Sequence, residues 1–374
     1  MKIEENLRIG KLLTFNPNKR LPIYNWFYFK EGFSRDLVLM LLEIMHVRKD
    51  EKVLDPCCGV GTTLLACREM GLKSLGFDVL PIAIFASTVK LSDYNVDVLK
   101  EYRKKITGTK FVKPDVSDVP NFVKRFFSNY ALEDIYFLRE EINKHVKNEM
   151  EKRFFMLALV NAALRCSYIK KDGAVLKIRK RKVPSLRYVY NRMLNKMIHD
   201  LYSNLEKTNA FVGYGDCRGL PLDDECIDVI ITSPPYLNKT EYTKIFGIEH
   251  FLISDFYKPG LQRFFGLETH GKVELDFLDE TLDLTKTAKF YLKDLSLMFK
   301  ELYRVCNDNA RVAIIIGDAL VRRKILDMLS IASDIASYHG FRVSRITIAN
   351  KRIATTPKRK KIGVLREGII FLTR

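Results

Sequence analysis

The 374-residue chain contains no apolar run approaching the ~18 residues needed to cross a bilayer. Its opening residues, Met1-Lys2-Ile3-Glu4-Glu5, offer no apolar signal-peptide core. The seven cysteines are odd in number, scattered, and never spaced as CxxC, which argues against a disulfide framework and a zinc site alike. Six dispersed histidines suggest no metal centre either. Internal repeats, low-complexity tracts and Gly/Ser linkers are missing, so loosely tethered modules are not expected. Acidic charge is also in short supply. The chain has 45 Asp+Glu against 63 Lys+Arg, a net charge of +18. A hydrophobic content of 47% and a charged content of 29% are those of a folded globular protein, not a disordered one. The expectation is a cytoplasmic protein with a strong positive field, for which nucleic acid is the first partner to consider. The plainer reading of that charge is a Lys/Ile/Glu-rich surface of thermophilic type.

What is present is an interrupted alternation of strands and helices. Lys52-Val53-Leu54 reads as a short strand ending at Asp55-Pro56 and a glycine turn, followed by a helix from Thr62 to Met70 with Gly71 behind it. Ser74–Phe77 reads as a second strand ending at Asp78, and Pro81 opens another helix. From Leu91 to Asn209 the pattern turns helical, with one or two long helices over Glu133–Ile169. Alternation resumes at Phe211–Tyr214 and Ile227–Ile231. It continues through a helix at Phe290–Val305, a strand at Arg311–Ile316, a helix at Arg323–Tyr338, and strands at Arg342–Ile348 and Gly368–Leu372. Strands separated by helices imply a doubly wound, mostly parallel α/β sheet of about seven strands. The last two, joined by a loop alone, suggest a terminal antiparallel pair. The expected division is a catalytic part over 1–92 and 210–374, with a helical insert over 93–209 and a smaller one near 237–285.

Two motifs carry chemistry. Asp55-Pro-Cys-Cys-Gly59-Val-Gly61-Thr-Thr63 joins a strand to a helix, and its glycines let backbone approach a ligand at the helix N-terminus. It lacks the third glycine of the dinucleotide fingerprint and the Gly-Lys-Ser/Thr of a P-loop, which argues against NAD binding and NTP hydrolysis. Asp78, at the end of the next strand, suits ribose hydroxyls. Thr232-Ser233-Pro234-Pro235-Tyr236 follows a strand directly. Its paired prolines fix the directions of the Ser233 and Pro234 carbonyls, and its tyrosine can stack on a planar base.

Together these motifs resemble those of the S-adenosylmethionine-dependent amino-methyltransferases of nucleic-acid bases, the N4/N6 DNA methyltransferase family. Ser-Pro-Pro-Tyr is the form typical of the cytosine-N4 enzymes. The segment Trp26–Arg35 resembles the one that precedes and packs on the methionine end of the cofactor. The resemblance covers about 1–92 and 211–374 and implies a Rossmann-like methyltransferase fold. It further implies that Asp55, Cys57, Gly59, Gly61, Thr62 and Asp78 hold S-adenosyl-L-methionine, with Lys30 and Phe33 as weaker contacts and Ser34 alternatively a helix cap. Asp216 of Gly215-Asp-Cys217 would accept from the adenine amine. Ser233, Pro234, Pro235 and Tyr236 would hold the target base.

The implied reaction is methylation of the cytosine N4 amine in DNA by base flipping and direct in-line transfer. Carbonyl and hydroxyl acceptors at Ser233 and Pro234 can bond both amine hydrogens. Carbon-5 chemistry would need a cysteine nucleophile, and Cys57 is better explained by its glycine turn. Structured RNA is the alternative polymer, because Gly215–Pro221 also resembles archaeal-type RNA amino-methyltransferases; a non-catalytic nucleic-acid-binding module is a third reading. Two basic stretches suit a phosphate backbone: Arg179, Lys180, Arg181, Lys182 and Arg187 in the insert, and Lys358, Arg359 and Lys360 before the last strand. A partner restriction endonuclease is conceivable for a modification enzyme.

Overall fold

The computed structural model describes residues 2–172, 175–202, 209–237, 245–257, 265, 284–355 and 361–374. The central sheet is built from β1 (Lys2–Glu5), β2 (Lys52–Asp55), β3 (Lys73–Asp78), β6 (Ala210–Tyr214), β7 (Ile227–Thr232), β8 (Cys306–Gly317), β11 (Arg342–Thr355) and β12 (Lys361–Thr373). Two hairpins lie outside it: β4 (Ile169–Asp172) with β5 (Val175–Ile178), and β9 (Ala319–Val321) with β10 (Lys324–Leu326). The order across the sheet is β1-β11-β12-β8-β7-β2-β3-β6. All neighbours are parallel except β12, which runs antiparallel to both β8 and β11. The Rossmann-like α/β sheet with its antiparallel pair is therefore present, and β1 adds an edge strand that the alternation pattern had not suggested.

Both faces of the sheet are covered, as the sequence of its middle strands requires. Along β7 and β8, Ile230, Val312 and Ile314 point to one side, into a core with the helices Lys286–Val305 and Met328–Tyr338. Val229, Ile231, Ala313 and Ile315 point to the other, against the helix Arg35–Ile44. That period of two, apolar on both sides, is the signature of a parallel strand buried twice over. From β2 the chain winds outward through β3 to β6, and from β7 it winds the opposite way to β8. The reversal falls between β2 and β7. A crevice opens at the carboxyl ends of strands at such a switch point.

The one or two long helices read over Glu133–Ile169 are two, Asn129–His145 and Glu149–Arg165, and the Asn148 side chain caps the second by accepting from Met150 and Glu151 N–H groups. Two other readings of the sequence need correction. The region 93–209 is not wholly helical, because the β4–β5 hairpin interrupts it. The helix expected from Arg323 starts instead at Met328. The residues before it form the β9–β10 hairpin, turned by Arg322 and Arg323 at φ 47° and 64° without any glycine. Within the expected 237–285 insert, the helix Gly247–Leu252 and the turn Ser254–Phe256 lie among the described residues.

Residues of the 93–209 stretch share a core with the N-terminal part of the chain. Phe15, Trp26, Phe27 and Phe29 pack with Phe85 and Val89 and with Phe154, Leu157 and Tyr190 of the insert. The Trp26 indole donates to Asp200 at 2.9 Å, and Asn161 donates to the Trp26 carbonyl at 2.6 Å. No helix among the described residues is long and apolar enough to cross a membrane.

Candidate active site

The crevice between β2 and β7 holds an open-mouthed cleft of about 100 Å³. Its walls come mainly from five places, with Phe265 in addition: Phe29 with Glu31–Phe33, the glycine turn after β2, the residues at the end of β3, those after β6, and the loop Ser233–Tyr236 after β7. Of the residues expected from sequence, Phe33, Asp55, Cys57, Gly59, Thr62, Asp78, Asp216, Ser233, Pro234, Pro235 and Tyr236 all line it. They come from five separated stretches of chain.

Asp55 is the joint of the site. Its Oδ1 accepts from the Thr232 hydroxyl at 2.8 Å and from the Cys57 N–H at 3.2 Å, while Oδ2 accepts from the Thr63 hydroxyl at 2.6 Å. One carboxylate thus ties the end of β2, the first turn of the helix Thr62–Glu69 and the end of β7. Burial raises its pKa to about 6, opposed by those three hydrogen bonds. Asp55 lines the cleft, as expected of a cofactor contact, and its oxygens also hold the two motifs together. Thr63 and Thr232, which complete that joint, had been quoted in the motifs without a role.

The glycine turn is shaped by what presses on it. Gly59 has φ 50° and Gly61 φ 78°, a region L-residues rarely enter. A Cβ at Gly59 would sit 3.2 Å from the Phe29 ring, and one at Gly61 3.2 Å from Ser87. Gly61 faces Ser87 and lies outside the cleft lining, so its part is to make the turn. From behind, the Ser87 hydroxyl donates to the Gly59 carbonyl at 2.8 Å and the buried Lys90 ammonium to the Val60 carbonyl at 3.2 Å. Burial lowers the Lys90 pKa to about 7.

Asp78 receives the Gly59 N–H at 2.8 Å and the Leu80 N–H at 2.9 Å, one on each oxygen. Each oxygen keeps a second lone pair, so two vicinal hydroxyls can still be accepted. Burial pushes its pKa up. Asp216 differs from expectation. Its carboxylate forms a fork with Arg218 at 2.6 and 2.9 Å, and Arg218 also reaches Asp294 at 2.7 Å, so much of its acceptor capacity is already engaged. The Cys57 thiol is raised by a hydrogen bond with Cys217 and by burial, which keeps it protonated and unreactive.

Lys30 is exposed and not part of the lining. Ser34 caps the helix Arg35–Ile44, accepting from the Leu37 N–H at 3.2 Å. Phe29, Glu31 and Gly32 line the cleft without having been singled out. Phe29 stacks on Phe246 at 5.6 Å, and the Lys171 ammonium lies 3.8 Å from the Phe246 ring centre while bonding the buried Glu249 at 2.5 Å. The hairpin of the insert thereby braces one wall of the site.

The loop after β7 is held at three points. Thr232 is bonded to Asp55, the Pro235 carbonyl accepts from the Tyr291 hydroxyl at 2.8 Å, and the Tyr236 hydroxyl donates to Glu367 of β12 at 2.8 Å. The Tyr236 ring passes over Gly317, where a Cβ would stand 3.2 Å from it.

Of the basic residues, Arg179, Lys180 and Lys182 are exposed on the segment that follows β5. Arg181 is directed back at the Arg165 and Ser167 carbonyls, 3.3 and 3.4 Å away. Arg187 pairs with Asp134 at 2.9 Å and covers the Phe111 ring while its side chain stays about half exposed, so it is engaged by the insert where Arg179, Lys180 and Lys182 are less held. Lys358, Arg359 and Lys360 lie outside the described residues.

No family model matches the chain. It is 24% identical to the type II methyltransferase M.BsoBI of Geobacillus stearothermophilus over 442 aligned positions, covering 96% of this chain and 87% of that protein. It is 26% identical to the type II methyltransferase M.AvaI of Nostoc sp. over 295 positions, covering 67% of this chain and 57% of the relative. A shorter match, 27% over 147 positions, reaches the probable tRNA (guanine(10)-N2)-dimethyltransferase of Methanothermococcus thermolithotrophicus, covering 39% of this chain and 81% of that protein.

Proposed function

We propose that this protein is an S-adenosylmethionine-dependent methyltransferase that modifies the exocyclic N4 amine of cytosine in DNA. One observation carries the reading most directly. The 2.8 Å bond from Thr232 to Asp55 fuses the glycine turn and the diproline loop into one cleft, so a nucleoside cofactor and a target base would meet there. Similarity to two type II methyltransferases over two thirds or more of the chain supports DNA as the polymer.

The lining fits such a cofactor. Asp78 can accept the ribose hydroxyls, Phe29 and Gly59 form a flat, close-fitting wall, and Leu80 and Val79 offer apolar surface to an adenine. When bound, the cofactor supplies a methyl group on a sulfonium, an electrophilic carbon needing no prior activation. The chain then has to present a nucleophile. A cytosine N4 lone pair is delocalised into the ring. The Ser233 hydroxyl oxygen and the Pro234 carbonyl, both on the cleft wall, accept the two amine hydrogens and favour a pyramidal nitrogen whose lone pair faces the methyl. Proximity and orientation do most of the work, and no covalent enzyme intermediate is required. Exposed Arg179, Lys180 and Lys182 serve the phosphate backbone.

The test is transfer of labelled methyl from the cofactor to unmethylated bacterial genomic DNA and to total tRNA and rRNA, followed by nucleoside mass spectrometry. N4-methylcytosine in the DNA is expected. Methyl label in RNA alone would move the activity to the second polymer, which the tRNA-enzyme match favours. N6-methyladenine would overturn the base assignment.

A further inference from the structure

β11 and β12 are longer than the sheet they belong to. β1 pairs with β11 only as far as Ile348, and β8 pairs with β12 only from Glu367 onward. Beyond those limits residues 350–355 and 361–366 pair, among the described residues, only with each other. β12 runs antiparallel to β8, so this two-stranded ribbon leaves the sheet at its carboxyl edge, where the ligand cleft opens. At about 3.4 Å per residue it overhangs that edge by roughly 20 Å.

The root of the ribbon is fixed to the site. Glu367 accepts from the hydroxyl of Tyr236, a cleft residue, at 2.8 Å. Arg366 pairs with Asp318 at 2.8 Å and with Asp327 at 2.5 Å. Gly363 leaves room for the Ile325 side chain of β10, which would stand 2.5 Å from an added Cβ. Asp318, Asp327 and Glu367 are thus engaged at the root, and the surface beyond them is left basic. Over residues 350–366 the sequence has no acid. Arg352 and Lys361 are exposed on the ribbon, as are Arg322, Arg323 and Lys324 on the β9–β10 hairpin beside it. Among these cations Ile353 and Val364 stand opposite each other in register, 61% and 39% exposed. Paired apolar side chains on an open strand pair invite self-association, and surrounding cations oppose it. Duplex DNA satisfies both features, with phosphates along the rims of the major groove and base edges, thymine methyls included, on its floor.

We propose that the overhanging β11–β12 ribbon enters the major groove of duplex DNA beside the target base, with Ile353 and Val364 against base edges and Arg352, Lys361 and the β9–β10 cations on the flanking phosphates. This rests on the reading of DNA as the polymer. The major groove of B-form DNA, about 12 Å wide, admits a two-stranded ribbon, whereas that of A-form RNA is too narrow for side chains to reach its floor. The bond between Glu367 and Tyr236 fixes the distance from the ribbon to the diproline loop. Contact in the groove therefore sets which base pair lies over the cleft.

The test compares the wild type with Arg352→Gln/Lys361→Gln and with Ile353→Ser/Val364→Ser. Binding of a mixed-sequence DNA duplex and of an RNA hairpin is followed by fluorescence anisotropy, with methyl green as a major-groove competitor and netropsin as a minor-groove one. Cofactor affinity by calorimetry and methylation of unmethylated bacterial genomic DNA are measured alongside. The charge variant should bind the duplex about tenfold more weakly, with log affinity falling less steeply against log salt. The apolar variant should bind it about fivefold more weakly at an unchanged salt slope. Both should keep the wild-type cofactor affinity and raise KM for DNA more than they lower kcat. Methyl green should displace the wild type and netropsin should not. Wild-type duplex affinity in both variants overturns the groove contact, and so does displacement by netropsin alone or an equal loss on the RNA hairpin. A dimer that dissociates in the apolar variant on sedimentation overturns it as well, making the ribbon a subunit contact. None of these results touches methylation by the wild type. A wild type that needs the ribbon to bind duplex yet transfers no methyl group would instead remove the proposed activity and leave the DNA surface standing.

Discussion

Asp55 concentrates the logic of the site in one side chain. A carboxylate with three donors on it is well satisfied, yet it is shut away from water, and its pKa stands at about 6 against an ordinary 3.8. A carboxyl raised by folding favours the protonated form in the native state. Its contribution to stability is fully present below about 4 and is lost as the pH rises through about 6. A rise of that size is worth on the order of 3 kcal/mol. Asp55→Asn removes the charge while its amide oxygen still accepts from Thr232. Denaturant unfolding of both proteins from pH 4 to 8 should show the wild type losing stability relative to Asp55→Asn across that window, with little further change above it. A constant difference would mean that Asp55 is not titrating there. Methyl transfer should fall in the same variant, since Thr63 and Thr232 are no longer held by one anion. The sequence shows Asp55 and Thr232 as members of two motifs, 177 positions apart. Their bond to each other is invisible until the sheet brings β2 and β7 side by side, and so is the bond between Tyr236 and Glu367, which no local pattern marks.

At the scale of elements, the segment after β5 and the helix Leu186–Asp200 behave differently despite similar charge. Arg179, Lys180 and Lys182 are exposed, whereas Arg187 is engaged by Asp134 and Phe111. Neutralising the first three together should weaken DNA binding and flatten the dependence of log affinity on log salt by about two to three, at roughly 0.9 per lost phosphate contact. Arg187→Ala should leave that slope in place and lower the melting temperature instead. Equal slopes for the triple variant and the wild type would assign these cations to the solvated surface. Strands with strong apolar alternation, β7 and β8 above all, were readable because burial on two faces demands it. The β9–β10 hairpin was not, because its turn places two arginines at positive φ where glycine or asparagine is the usual signal. The apolar residues flanking that turn fit a helix equally well in sequence, and pairing with each other decides the matter.

For the molecule as a whole, the insert over 93–209 reads as a separate block in sequence, since alternation stops there. In the fold it is continuous with the aromatic segment that walls the cleft, through Trp26, Asp200 and Asn161. Trp26 is the single tryptophan of the chain and is almost fully buried at that junction. Its fluorescence therefore reports on the insert–catalytic boundary, while far-UV circular dichroism reports on the whole. The two unfolding transitions should coincide in urea, as for one cooperative unit. A fluorescence midpoint well separated from the dichroism midpoint would show that the insert unfolds by itself. Cutting the insert away should strip Phe29 of its support and abolish cofactor binding along with folding.

The bare backbone at Gly317 has a practical side. The ring of Tyr236 crosses it closely, so that an added carbon would press on the ring at 3.2 Å, at the last residue of β8. A single methyl group there, as in Gly317→Ala, acts as a wedge under the aromatic ring and lifts it off its carboxylate anchor. The glycine turn and its helix stay as they are. An enzyme silenced in this way would still load its small-molecule partner, giving a trap in which DNA can be caught and held before reaction.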